Sequence, residues 1–225
     1  MTSRHSHSLF DIIGPVMIGP SSSHTAGAVR LGALARAISG AQPTRARIGL
    51  VGSFFATGEG HGTKLALVAG LLGMTCDDER IPIALDIAAQ QGLEVEFYRA
   101  VVEGAHPNTA ILDLCSPTKP DIHIIGSSTG GGEVVVTQID DYEVDTHGVL
   151  PLLIVSHNDL PGVIHAVSGV LTNAGINIAS MRVSREQRGE KALMLIELDS
   201  MPSEEVAALV RKVENVRHAR IVNAV

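Results

Sequence analysis

The chain has 225 residues, of which 45% are hydrophobic and 18% are charged, and its formal net charge is −7. This length and composition are typical of a globular protein with one large or two small domains, and the acidic balance argues against a nucleic-acid partner, whose phosphates need a basic surface. Aromatic residues make up only 3% of the chain, which also disfavours stacking of single-stranded nucleic acid.

The two cysteines, Cys76 and Cys115, are far apart and form no CxxC pair. They exclude a disulfide framework and an all-cysteine metal site within one chain, and we expect them to be small buried side chains, reduced in the cytoplasm. No secretory signal is expected, because Gly14 and Pro15 interrupt the apolar stretch 12–18. The longest apolar run is about half of the roughly 20 residues that a membrane helix needs, so we expect no membrane partner.

The first part of the chain is predicted to mix helices with strands. An alanine-rich helix is expected at 26–38, where Gly27 and Gly32 permit close approach of a neighbour, after a loop at 19–25. Apolar periodicity places the other elements. Helices are predicted at 63–72 and 80–91, strands at 47–52, 93–98, 109–114, 122–127 and 133–139, and a glycine turn at 130–132.

The acidic segment 140–145, which His147 and Gly148 follow, is the predicted boundary, so that domains are expected at 1–148 and 149–225. In the second domain Pro161 suits the first position of a helix and Ser203 suits an N-cap. The predicted order is strand 152–156, helix 161–174, strands 176–183 and 192–198, helix 203–213 and strand 218–222. This βαββαβ order is that of a ferredoxin-like fold.

Two of the ten histidines stand immediately before predicted helices. His24 lies in GPSSSHT at 19–25, and His61 lies in TGEGHGT at 57–63. The unpaired N–H groups and the dipole of a helix N-terminus favour an anion and disfavour a charged imidazole. A neutral histidine can act as a base or as a hydrogen-bond donor near pH 7.

A purely structural interpretation of these loops is that Ser23 or Thr25, and Thr63, cap helices while the histidines merely occupy loops. The presence of two such loops in one small domain instead favours a functional role for the two histidines. A phosphate-binding P-loop is a poorer explanation, because the order after Gly62 is Thr63-Lys64 and not Lys-Ser/Thr.

Two further segments carry weaker signals. HPNT at 106–109 and STGGG at 128–132 are each compatible with a simple turn or hairpin. Substrate contact is the alternative interpretation, and the sequence leaves both open.

Several motifs together resemble those of the iron–sulfur L-serine dehydratases. They are SLFDIIGP at 8–15, IGPSSSHT at 18–25 and TGEGHGT at 57–63. The segments HPNT at 106–109, GSS at 126–128 and GGG at 130–132 resemble the separate β subunit of the two-chain form. Residues 150–225 resemble an ACT domain, through DLPGV at 159–163 and GINI at 175–178.

The resemblance implies an α+β protein. A mixed α/β serine dehydratase β domain, similar also to the allosteric substrate-binding domain of some phosphoglycerate dehydrogenases, would precede a βαββαβ ferredoxin-like ACT domain. The implied activity is that of an L-serine ammonia-lyase, which deaminates L-serine to pyruvate and ammonia with a [4Fe-4S] cluster. A cluster needs three or four thiolates, so the resemblance implies a cysteine-bearing α subunit as its carrier.

The resemblance also implies roles for individual residues. His24 and His61 would line an active site at the α/β interface as acid/base or orienting groups, and replacing either by Ala is expected to lower turnover at least about 100-fold. The residue that takes the α-carbon proton stays open, and it can belong to the α subunit. The implied substrate-binding residues are Ser21, Ser22, Ser23, Thr25, Gly62, Thr63, His106 and Asn108.

The second hypothesis is a non-catalytic regulatory module that binds an amino acid and biases a partner's conformation. In the ACT-like domain the implied effector residues are His157, Asp159, Gly162 and Asn177. Asp159 departs from the pattern, because serine-binding ACT domains often carry Asn at that position. The alternative is that this domain serves only to form a homodimer.

Overall fold

The computed structural model describes residues 15–225. The chain divides into two compact units, and the division along the sequence falls between Val135 and Val136. Within the described part of the chain, no helix is long and apolar enough to cross a membrane.

Helices and strands alternate in the first unit, in positions close to those that the sequence predicts. The helical segments are a π-helical turn Ser22–Ala26, α1 Gly27–Ser39, α2 Gly52–Ala56, α3 Thr63–Leu71, a 3₁₀ turn Ile81–Ile83 and α4 Ala84–Gln90. The strands are β1 Arg45–Leu50, β2 Glu94–Arg99, β3 Thr109–Ser116, β4 Lys119–Gly130 and β5 Glu133–Ile139, and β5 spans the division between the units.

These strands belong to a six-stranded sheet of order β2-β1-β3-β4-β5-β6, in which β6 is Tyr142–Thr146. β1 pairs with β2 in parallel and with β3 antiparallel. Every second residue of β1, namely Ala46, Ile48 and Leu50, is buried, as expected for a strand with one face against a core. The sheet therefore contains both parallel and antiparallel pairs.

α1 and α3 pack closely because glycines lie at their contact. A Cβ on Gly32 would collide with the carbonyl oxygen of Leu67, and a Cβ on Gly70 would collide with that of Val29. Only a residue without a side chain allows two helix backbones to approach this far. This contact fixes α3, which follows the His61 loop, against α1, which follows the His24 turn.

The second unit contains the βαββαβ order that the sequence predicts. Its elements are β7 Leu152–Asn158, α5 Val163–Asn173, β8 Ile178–Arg185, β9 Lys191–Leu198, α6 Glu204–Arg211 and β10 Val216–Val222. The four strands form a sheet of order β10-β7-β9-β8. Apolar residues of this sheet and of both helices, among them Leu153, Val167, Ile196 and Val210, form one core.

Several sequence expectations need correction. The helix predicted at 80–91 is interrupted, because Pro82 lies in a 3₁₀ turn and α4 begins only at Ala84. Pro161 is not the first residue of α5, since Gly162 with φ 94° is the N-cap and Val163 follows it. Ser203 does cap α6, where its side chain accepts a hydrogen bond from the Val206 N–H.

Neither α2 nor β6 was predicted. α2 is only five residues long, and β6 overlaps the acidic segment 140–145 interpreted above as a domain boundary. In β6 the residues Tyr142, Val144 and Thr146 are buried, while the acidic residues between them are exposed.

Candidate functional site

His24 lies inside the π-helical turn Ser22–Ala26, and not in a loop before the helix as predicted. The Ser21 side chain caps this turn, since its Oγ accepts a hydrogen bond from the His24 N–H at 3.1 Å. The same Oγ lies 3.5 Å from His24 Nδ1. The capping role considered for Ser23 or Thr25 therefore belongs to Ser21, and the His24 ring is held from one side.

His61 lies in the short loop before α3 and is half-buried. Gly62 is the N-cap of α3 with φ 69°, and no side chain caps this helix. Thr63 is its first residue, so the capping role considered for Thr63 is wrong. The Thr63 Oγ1 is buried and has no hydrogen-bond partner among residues 15–225.

The fold brings the two histidines together although they are far apart in the sequence. Their ring centroids are 4.9 Å apart, with the planes tilted by 42°. The Thr25 hydroxyl donates to the carbonyl oxygen of His61 at 3.1 Å, which ties the turn to the loop. The Phe54 ring contacts His24 edge-on at 5.4 Å between centroids. The two sequence motifs therefore form one cluster, which we call the histidine pair site: Ser21, His24, Thr25, Ser53, Thr57 and His61.

Ser53 and Thr57 of this site were not predicted. His24 Nε2 is 3.0 Å from Ser53 Oγ and 3.2 Å from Thr57 Oγ1. His61 Nδ1 is 3.1 Å from the carbonyl oxygen of Thr57. The spacing of four residues between a serine and a threonine, just before the His61 loop, is the signal that could have placed both on one side of a helical turn.

The surroundings of His24 keep its ring neutral. Burial lowers the pKa of His24 below its ordinary value of 6.5, the neighbouring His61 lowers it further, and the main-chain carbonyl of Ser53 opposes them. A neutral imidazole near pH 7 is what the sequence analysis expects at this position.

The loop that carries His106 and Asn108 is tied to the same region through its backbone. The carbonyl oxygen of Pro107 accepts a hydrogen bond from the Phe54 N–H at 3.3 Å. The His106 side chain instead stays within its own loop, where Nδ1 accepts from the Asn108 N–H at 3.1 Å. Ser22 and Ser23 are half-buried in the π-helical turn beside His24.

The predicted effector residues lie in the second unit, where most of their polar groups are paired. The Asp159 carboxylate accepts from the Gly189 N–H at 3.1 Å and from Arg185 Nη1 at 3.0 Å, and these contacts, the Gly189 N–H first, hold the pKa of Asp159 below its usual value. Asn177 donates to Asp199 at 2.7 Å. Gly162 begins α5.

His157, the remaining predicted effector residue, is only 2% exposed. Its Nδ1 donates to the carbonyl oxygen of Asn158 at 2.8 Å. Its Nε2 is buried and lacks a hydrogen-bond partner within the described residues.

The described residues contain no group of three or more His, Cys, Asp and Glu side chains that could hold a metal ion. Both cysteines are free thiols. They are half-buried and not fully buried as expected, and Cys76 donates to the carbonyl oxygen of Val16 at 3.4 Å. Burial is the main reason why the pKa of the Cys115 thiol is raised, with Asp121 adding to the effect.

The fold and the site define a class of protein: a mixed α/β domain with a serine- and histidine-rich site, followed by a ferredoxin-like domain. The family model described as the serine dehydratase beta chain matches residues 8–99, and the ACT domain model matches residues 152–215. The motif at 8–15 that contributes to this resemblance lies, except for Pro15, outside the described residues.

Curated relatives extend the match along nearly the whole chain. A probable L-serine dehydratase, beta chain, from Bacillus subtilis is 42% identical over 93% of this chain and 94% of that protein. The L-serine dehydratase, beta chain, of Peptoniphilus asaccharolyticus is 33% identical over 96% of this chain and 98% of that protein. The chain therefore belongs to the serine dehydratase beta-chain family and carries a C-terminal ACT domain.

A more distant similarity connects the chain to another class of enzyme. D-3-phosphoglycerate dehydrogenase of Methanocaldococcus jannaschii is 34% identical over 114 residues, which are 51% of this chain and 22% of that protein. The chain therefore shares a segment, and not a whole architecture, with this relative.

Proposed function

We propose that this chain is the β subunit of an L-serine ammonia-lyase, which converts L-serine to pyruvate and ammonia. The observation that carries the proposal is the histidine pair site, in which two sequence motifs from separate loops meet with ring centroids 4.9 Å apart. The names of the relatives that match along nearly their whole length support the substrate.

The chain's own residues do not fit a [4Fe-4S] cluster. Such a cluster is held by cysteine thiolates. This chain has only two cysteines, Cys76 and Cys115, and they lie in different parts of the first unit. We therefore place the cluster on a cysteine-bearing α subunit. The beta-chain names of the relatives agree with a second kind of subunit.

We assign the substrate carboxylate to the π-helical turn that contains His24 and to the start of α3, which follows His61. The first N–H groups of a helix lack acceptors within that helix, and the helix dipole favours an anion there. The hydroxyls of Ser22 and Ser23 lie in the π-helical turn. At the start of α3 the N–H groups of Gly62 and Thr63 already donate to the carbonyl oxygens of Glu59 and Gly58, so there we assign the contact to the unpartnered Thr63 hydroxyl. Ser21 and Thr25 hold the turn in shape, and His106 and Asn108 border the site through Pro107.

We assign proton exchange with the substrate to His61 and an orienting role to His24. A carbonyl oxygen can only accept, so the contact with Thr57 places the proton of a neutral His61 on Nδ1 and leaves a lone pair on Nε2. Deamination requires loss of the α-carbon proton, which a neutral imidazole can accept. His24 is more buried, and both of its ring nitrogens face hydroxyl groups of this chain.

The proposal is tested by anaerobic co-expression with an α-type chain, followed by assays of pyruvate release from L-serine. The α chain alone, the β chain alone and the pair are compared at equal concentration. Activity in the pair only is the expected result. Full activity of the α chain alone would overturn the catalytic role of this chain.

A second candidate function, an amino-acid-binding regulatory module, is favoured by the partial similarity to D-3-phosphoglycerate dehydrogenases. On this alternative the α chain alone carries the chemistry, and the same three assays separate the two functions.

We also propose that the ACT domain binds an amino acid through His157, Asp159, Gly162 and Asn177 and pairs with a second copy of itself. β8 lies at one edge of the four-stranded sheet, and Val183 on this strand is an exposed apolar residue. A free strand edge can pair with the same edge of a second chain. Analytical ultracentrifugation of the chain with and without Val183→Lys tests the pairing, since a charge at this edge should favour the monomer.

A further inference from the structure

Thr57 contacts both histidines, and it does so through two different atoms. Its Oγ1 lies 3.2 Å from His24 Nε2, and its carbonyl oxygen lies 3.1 Å from His61 Nδ1. No sequence motif used above assigns it a role. Thr57 ends α2 as its C-cap, and its side chain is exposed.

The hydroxyl of Thr57 has a defined direction. Its proton is donated to the carbonyl oxygen of Ser53 at 3.0 Å, because that oxygen can only accept. A hydroxyl has one proton and two lone pairs, so towards His24 the Thr57 Oγ1 acts as an acceptor. His24 Nε2 must then carry a hydrogen to complete this contact.

The contacts of His24 Nδ1 agree with a hydrogen on Nε2. Ser21 Oγ already accepts from the His24 main-chain N–H at 3.1 Å, so its own proton is available to His24 Nδ1 at 3.5 Å. Ser53 Oγ lies 3.0 Å from Nε2 and 3.2 Å from Thr57 Oγ1, so it can accept the same ring hydrogen while it donates its own proton to Thr57. The contacts therefore favour one neutral tautomer of His24, with the hydrogen on Nε2.

We infer that Thr57 is a positioning residue that sets the hydrogen placement of both histidines, His24 through its hydroxyl and His61 through its carbonyl oxygen. The inference rests on the proposed function for its effect on turnover. Its effect on the rings themselves does not depend on that function. Because one contact is made by a side chain and the other by the main chain, a substitution can break the first and leave the second intact.

The competing interpretation is that the Thr57 hydroxyl only stabilises the end of α2. A threonine that donates to the carbonyl four residues earlier is common in helices, and Ser53 and Thr57 have this spacing. In that case the loss of the hydroxyl would affect stability alone, and the tautomer of His24 would stay unchanged.

The test compares Thr57→Val, which keeps the shape and removes the hydroxyl, with Thr57→Ser, which keeps the hydroxyl. Long-range ¹H–¹⁵N spectra of the histidine rings in the ¹⁵N-labelled full chain report which nitrogen carries the hydrogen. In the wild-type chain we expect the hydrogen of His24 on Nε2 and that of His61 on Nδ1. Thr57→Val should shift His24 towards a mixture of tautomers and leave His61 unchanged, and Thr57→Ser should restore the wild-type pattern.

The kinetic arm uses the assembled enzyme with the α-type chain. Thr57→Val should lower kcat about tenfold or more, since misplacement of a catalytic group costs rate, while KM changes less than about threefold. Thr57→Ser should stay within about threefold of the wild type in kcat.

Two results would overturn the inference: an unchanged His24 tautomer in Thr57→Val, or a loss of kcat in Thr57→Val that Thr57→Ser shares in full. Failure of the proposed function is a separate outcome. It would appear as no dependence of pyruvate release on the wild-type β chain, while the ring spectra still respond to Thr57→Val as expected.

Discussion

The two units of this chain each contain a cluster of histidine and polar side chains, and the clusters differ in which atoms remain available. In the first unit, His61 Nδ1 is held by a carbonyl oxygen and the half-buried ring keeps Nε2 for another group. In the second unit, Asp159 and Asn177 are paired with Arg185 and Asp199, and the unpaired His157 Nε2 is buried. The first cluster therefore leaves a ring nitrogen for the proton exchange that we propose, whereas a ligand of Asp159 or Asn177 in the second must displace contacts that already exist.

The largest effects are expected at the histidine pair, where the first test is His24→Ala in the assembled enzyme. This substitution removes the ring that joins Ser21 to Ser53 and Thr57, and kcat for pyruvate release from L-serine should fall at least about 100-fold. His165→Ala is the matched control, because His165 is exposed on α5, and it should keep wild-type turnover. Wild-type kinetics of a properly assembled His24→Ala enzyme would remove His24 from the site.

A smaller effect on binding is expected in the second unit. We expect isothermal titration of L-serine into this chain alone, in which no turnover is expected, to show binding at the ACT domain. Asp159→Ala should weaken this binding about tenfold, since it removes the carboxylate that can accept from the ammonium group of the ligand. Turnover of the assembled enzyme at saturating substrate should stay within about twofold. If no amino acid produces a heat that Asp159→Ala alters, the domain serves for pairing only.

The pH dependence of the free energy of unfolding tests whether the surroundings of His24 lower its pKa. The pKa of His24 is lowered in the folded chain from 6.5, chiefly by burial, so the unfolded chain binds this proton more readily than the folded chain. The contribution of His24 to stability is therefore fully present above about pH 6.5 and is lost as the pH falls towards the folded pKa. Urea unfolding between pH 8 and pH 5 should show a steeper loss in the wild type than in His24→Asn, and equal slopes would contradict the assignment.

The smallest effect is expected from Asn177→Ala. Asn177 donates one exposed hydrogen bond to Asp199, so the free energy of unfolding should fall by no more than about 1 kcal/mol. Urea unfolding of the full chain measures this change. A loss several times larger would mean that Asn177 organises the second unit.

Periodicity and turn residues predict most of the elements, because apolar spacing records directly which face of a helix or strand is buried. Apolar spacing and turn residues gave wrong predictions where charged residues, a glycine or a proline obscured the pattern. The acidic residues of β6 hide an alternation in which Tyr142, Val144 and Thr146 are buried, and Gly162 displaces Pro161 from the start of α5. At 80–91 a proline interrupts an otherwise helical pattern.

The candidate site could be predicted only in part. His24 and His61 stand out because their motifs are unusual, and the fold does bring them together. Ser53 and Thr57 are ordinary residue types in a five-residue helix, and their importance comes from distances across the fold that no local pattern contains. Helix caps also could be predicted only in part. Thr63 and Ser203 both suit an N-cap by residue type, but only Ser203 is one.

The most direct test of the account compares His61→Asn with His157→Asn in the assembled enzyme. In both variants the asparagine amide can replace the donating Nδ1 while the Nε2 atom is removed, so each substitution removes the same nitrogen from one of the two clusters. The account predicts that His61→Asn lowers kcat for pyruvate release at least about 100-fold and that His157→Asn stays within about twofold. Equal losses in both variants, or a loss in His157→Asn alone, would contradict it.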